Sequence, residues 1–158
     1  MKTIVLSIAI LLGAGASTAN LTPILSGYYQ IKDALVAGNP QAAAKAAADM
    51  LGSINGADMK TLDPEDRTAF LSLREQLAAD ARQISESKDI DRQREHFVRL
   101  SANLLQLAKK VHLSAQPIYE EYCPMRKAYW LSNDQAIVNP YLGNGMRNCG
   151  KVTATIKP

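Results

Sequence analysis

Between residues 21 and 113 the apolar residues recur at helical spacing in four blocks, each apolar on one side only. Ile24, Tyr28, Ile31 and Leu35 form the first stripe, which stops at Gly38. Asn39-Pro40 then supplies an N-cap and an N1 proline for a second helix, with Ala43, Ala47, Met50 and Ile54 on one face. Its alanines favour helix and allow a neighbouring helix to come close. Asp63-Pro64-Glu65-Asp66 repeats the start signal ahead of Phe70, Leu73, Leu77 and Ile84. A polar SESKD break precedes the fourth stripe of Ile90, Phe97, Leu100, Leu104, Leu107 and Val111. A one-sided helix must bury its stripe against another, so the pattern predicts a mainly α fold, an antiparallel four-helix bundle over residues 20–113.

Residues 114–158 break this period. PIYEEYC, from Pro117 to Cys123, and KVTATI, from Lys151 to Ile156, are short runs rich in β-branched or aromatic residues. Paired antiparallel, they bring the end of the first beside the start of the second, and so Cys123 beside Cys149. Between them, Asn139-Pro140-Tyr141 and Gly143-Asn144-Gly145 are turn formers, and WLSNDQAI suits one short helical turn. The expected result is a C-terminal loop layer closed by a short β pair, with Trp130 and Tyr141 packing it onto the helices.

The first nineteen residues set the compartment. Lys2, an apolar run from Ile4 to Leu12 and the small residues GAGASTA form a signal peptide pattern, with Ser17 and Ala19 placing cleavage after Ala19. The apolar run is too short to cross a bilayer, which takes roughly 20 residues. The expectation is therefore a leader over 1–19 and a periplasmic protein of one helical domain over 20–158, with no membrane span after cleavage. The net charge is +3 and its basic residues are interleaved with acids, which gives no basic face for nucleic acid.

Both cysteines of the chain fall in the segment 122–150, each with a methionine close by. Met125 follows Cys123 by two residues and Met146 precedes Cys149 by three. Thiolate and thioether together form the donor set that selects Cu(I). Cys-x-Met at a strand end puts both side chains on one face, and Met-x-x-Cys does so on a helical turn. Cys123, Met125, Met146 and Cys149 are thus the candidate metal ligands, with His112 as a further imidazole candidate at the end of the fourth helix. The alternative is a structural disulfide between Cys123 and Cys149, which an oxidising compartment favours, with the methionines as packing filler. His96 is expected on the surface. The sequence carries no Cys-x-x-Cys, metalloprotease histidine pair, phosphate-binding glycine loop or nucleophile elbow, so no enzyme is expected.

The ordered set Cys123-Pro124-Met125, Trp130-Leu131-Ser132, Asn139-Pro140-Tyr141, Gly143, Met146 and Cys149-Gly150 resembles a bacterial exported domain family known only as a domain of unknown function. The stretch YYQIKDALVAGN is similar to the opening of that family's helical region, so the resemblance covers most of the mature chain. Such domains are sometimes attached to adaptor subunits of copper or silver efflux pumps. The resemblance implies soft-metal handling by a free-standing version, with a metal-efflux or other envelope protein as partner.

Overall fold

The computed structural model describes residues 21–158, and the expected leader over 1–19 lies outside the described residues. Four helices come first: α1 (Thr22–Val36), α2 (Pro40–Asn55), α3 (Pro64–Glu86) and α4 (Ile90–Ala108). Three strands follow, β1 (Ile118–Cys123), β2 (Ala128–Ser132) and β3 (Lys151–Ile156), with one 3-10 turn at Asn144–Met146. Among the described residues no helix is long and apolar enough to cross a membrane.

Side-chain caps start α2, α3 and α4. Asn39 ends one helix and starts the next: its N–H donates to the Ala34 carbonyl, and its side chain accepts from the Ala42 N–H at 3.0 Å. Asp63 accepts from Asp66 N–H in the same way, and Asp89 accepts from Asp91 and Arg92. The apolar stripes all turn inward, and Ile24, Tyr28, Met50, Phe70, Phe97 and Leu100 are fully buried. Consecutive helices pack side by side, while α1 and α4 meet through the stacked rings of Tyr28 and Phe97, 4.8 Å apart.

The α1–α2 contact depends on a residue without a side chain. A Cβ built on Gly27 would stand 2.8 Å from the Met50 Cβ and 3.2 Å from its Cα. Gly27→Ala is therefore expected to push the two helices apart and cost about 1–3 kcal/mol, the usual range for overpacking. Urea denaturation checks this, and an unchanged midpoint would show that the contact yields freely.

The C-terminal region differs from expectation in one respect: the β pair is a three-stranded antiparallel sheet in the order β2-β1-β3. Trp130-Leu131-Ser132, expected in a helical turn, lies in β2, with Trp130 opposite Glu121 and Ala128 opposite Cys123. The expected pairing of the other two strands is present, running from Ile118 opposite Ile156 to Tyr122 opposite Lys151. A bulge between Glu120 and Glu121 leaves Thr153 without a partner in the ladder, and its hydroxyl donates to the Glu120 carbonyl and carboxylate. Strand side chains alternate, so Glu121, Cys123, Ala128 and Trp130 share one face.

Candidate metal centre

The sulfur site forms where β1 ends and β3 begins. Lys151 pairs with Tyr122, so Cys149 lies just beyond the point opposite Cys123. The two thiols are free and lie within hydrogen-bonding and electrostatic reach of each other. They differ in access: Cys123 is fully buried, whereas Cys149 is half-buried. The Cys123 sulfur accepts the Arg126 N–H at 3.4 Å. The Cys149 sulfur accepts the Met125 N–H, which favours its thiolate, but partial burial and then the facing Cys123 push the thiol above its ordinary range.

Both methionines are exposed. Met125 is 61% exposed and Met146 46% exposed, high values for large apolar side chains. Met125 sits in the turn after β1 and not on the strand, so the period-two argument for Cys-x-Met fails; its backbone N–H is what meets Cys149. At the other end a turn does form, with Cys149 N–H bonded to the Met146 carbonyl at 3.1 Å. Met146, Arg147 and Cys149 line one open cavity of about 360 Å³. His112 is not brought to the sulfurs. It lines a separate cavity with Ile118 and Ile156, at the far end of β1 from Cys123, a separation of about 17 Å along the strand. His96 is half-buried beside Asp80, at 3.3 Å, because Asp80 and Arg99 close over it.

The Asn-Pro-Tyr segment holds the cysteine loop down. Asn139 is fully buried; its amide donates to the Cys149 carbonyl, its backbone N–H donates to the Arg147 carbonyl, and its side-chain oxygen accepts the Tyr141 N–H at 2.8 Å. The Pro140 carbonyl accepts from Arg94 Nε at 3.2 Å, and the same guanidinium reaches the Leu35 carbonyl at the end of α1. The Tyr141 hydroxyl donates to the Tyr129 carbonyl and lies 3.2 Å from Ser101 Oγ. Ser101 Oγ is in turn 2.7 Å from the Tyr28 hydroxyl, which accepts the Leu131 N–H. One proton per hydroxyl satisfies this buried chain from β2 through α4 to α1.

Trp130 closes the site from the sheet. Its ring is fully buried, edge-on to Tyr141 at 5.9 Å, and lies against Gly150. Opposite it, Glu121 is fully buried, and neither carboxylate oxygen makes a full hydrogen bond. Burial pushes its pKa up to about 7, against the Lys32 charge and the Trp130 N–H, which pull it down. Residue patterns single out the sulfurs, Trp130 and Asn139, but not Gln93, Arg94, Ser101 or Glu121. A signal existed for two of them: Gln93 and Ser101 stand four residues either side of Phe97, inside an otherwise apolar stripe.

Comparison with known proteins adds one finding. A family model described as a protein of unknown function, DUF3347, matches residues 24–116, more than half of the chain. That span runs from α1 through α4 and ends before β1, so both cysteines lie beyond it. No curated protein and no solved structure matches the chain. The chain belongs to the DUF3347 family.

Proposed function

We propose that this DUF3347 member is an exported, non-catalytic protein of the periplasm that binds one Cu(I). Cys123 and Cys149 are the thiolate ligands and Met125 and Met146 the assisting thioethers, carried on an antiparallel four-helix bundle. The observation that carries this reading is the pairing of two thiols, one reachable from solvent, with two exposed methionines two and three residues away in the chain. Soft sulfur donors suit Cu(I). Among the described residues no three His, Cys, Asp or Glu side chains cluster, so the thioethers are the donors at hand for completing the set. The partner fitting such a carrier is an envelope protein of metal efflux, which the resemblance of the cysteine motif suggests.

The test is an anaerobic competition of reduced protein against a chromophoric Cu(I) chelator. Cys123→Ser removes a ligand and is expected to weaken binding by more than about 100-fold, the upper range for mere supporting residues. Met146→Leu is expected to lose about tenfold, with helical content unchanged in both. Reduced wild type that cannot compete for copper at all would end this reading. The second reading then stands, in which a Cys123–Cys149 disulfide fastens β3 and the loop layer to the sheet. The same juxtaposition favours it, and the bridge contributes about 3–4 kcal/mol through the unfolded chain.

A further inference from the structure

The two sulfurs are chemically unequal. Cys123 is fully buried at the end of the central strand, beside Ala128, its cross-strand partner. Cys149 opens onto the cavity it shares with Met146 and Arg147, and Asn139 holds its backbone in place. Arg147 in the wall gives this opening a positive charge. The first attacking sulfur in thiol–disulfide exchange must be open to the disulfide it attacks; a resolving sulfur attacks the first sulfur from the side opposite the leaving thiol and need not itself face solvent. Cys149 meets the first requirement and Cys123 the second.

We propose that Cys149 is a thiolation site for anionic small-molecule disulfides, and that Cys123 resolves the adduct. The Cys149 thiolate attacks one sulfur of the small disulfide. That S–S bond breaks, and one small thiolate leaves with the electron pair and takes up a proton. The Cys123 thiolate, its proton given to solvent, then attacks the Cys149 sulfur and expels the second small thiolate. Two protein thiols are oxidised to one disulfide, and one small disulfide is reduced to two thiols. The inference rests on the paired-thiol site that the metal reading also uses, yet it involves no copper.

The experiment treats reduced protein with oxidised glutathione and reads intact mass over time. Wild type should lose two hydrogens without accumulating an adduct. Cys123→Ser, which keeps Cys149, should accumulate one stable glutathione adduct. Cys149→Ser should react at least about tenfold more slowly while folded and react readily once urea exposes Cys123. Equal native rates in the two variants, a faster Cys149→Ser, no adduct on Cys123→Ser, or a lasting adduct on wild type would each overturn the proposal. Failure of the copper titration leaves all of these outcomes untouched, and the converse holds as well.

Discussion

Alanine at Gly150 is expected to unfasten the sulfur site. A Cβ there would stand 2.7 Å from the Trp130 ring, 3.1 Å from the Tyr122 carbonyl oxygen and 3.2 Å from Ile137. None of these neighbours gives way easily: the ring is fully buried, and the carbonyl belongs to the central strand. The backbone adds a second cost, because Gly150 has φ 154°, a conformation an L side chain rarely adopts. Overpacking costs about 1–3 kcal/mol and a forced backbone about as much. Together they amount to about 2–6 kcal/mol, a midpoint fall of roughly 6–18 °C for a domain of this size. The displacement also separates Cys149 from Cys123, so conversion of the dithiol to a disulfide should slow in step. Gly145 in the same loop supplies the control, since a Cβ there meets nothing within 4 Å. Gly145→Ala should stay within about 0.5 kcal/mol of wild type. Equal melting of the two variants would show that Trp130 does not brace the cysteine loop.

The helical half of the fold was legible because three of the four stripes open on a side-chain cap that works locally. Asn39-Pro40 and Asp63-Pro64 start α2 and α3 in the structure as they do in the sequence. The meeting of Cys123 and Cys149 followed from the pairing of β1 with β3, two runs of strand-forming residues. β2 was not legible, because only Tyr129 of its five residues is exposed, while Leu131 on the same face is buried like Ala128, Trp130 and Ser132 on the other. With one exposed residue the period-two alternation is too short to read, and only length and flanking turns remain to separate strand from helix. Met125 was misplaced for a related reason: the strand stops at Cys123, so its period no longer applies two residues on. His112 was set apart by topology, since the chain runs the full length of β1 between it and Cys123. Arg94 was passed over because, beyond its ion pair with Asp91, its partners are the backbone carbonyls of Pro140 and Leu35; Gln93, although marked by its place in an apolar stripe, likewise donates to the carbonyls of Pro40, Ile84 and Ser87. A side chain that binds main chain can face any sequence, so pattern reading passes over it.

Stability is expected to fall as pH rises from about 4.5 to about 7, and Glu121→Gln is expected to remove that slope. Unfolded, the Glu121 carboxyl titrates near its ordinary 4.5; folded, it holds its proton up to about 7. Below pH 4.5 both states are protonated and burial costs little. Across the window the folded state keeps a proton that the unfolded state has released, so rising pH favours unfolding. Above 7 both are ionised, and the full cost of a buried carboxylate is present. At 1.36 kcal/mol per pK unit this reaches about 3 kcal/mol, an upper bound because Lys32 and Trp130 can shift toward the charge. Glutamine keeps the shape and drops the charge. It also takes from Lys32 a facing carboxylate, although the ammonium keeps Asp33 at 2.9 Å. The net gain for Glu121→Gln at pH 8 is therefore expected nearer 1–2 kcal/mol, shrinking to about zero at pH 4.5. Asp66, also raised by burial and by Asp63, slopes the same way, whereas Asp89, lowered by the Arg92 and Asp91 N–H groups, slopes oppositely and only at more acid pH. Both are present in either protein, so the difference between wild type and variant isolates Glu121. Urea denaturation of the two at pH 4.5, 6, 7 and 8 reads it directly. Parallel stability curves would mean that water reaches the carboxylate, and that the face shared by Glu121, Trp130 and Cys123 is wetter than its packing implies.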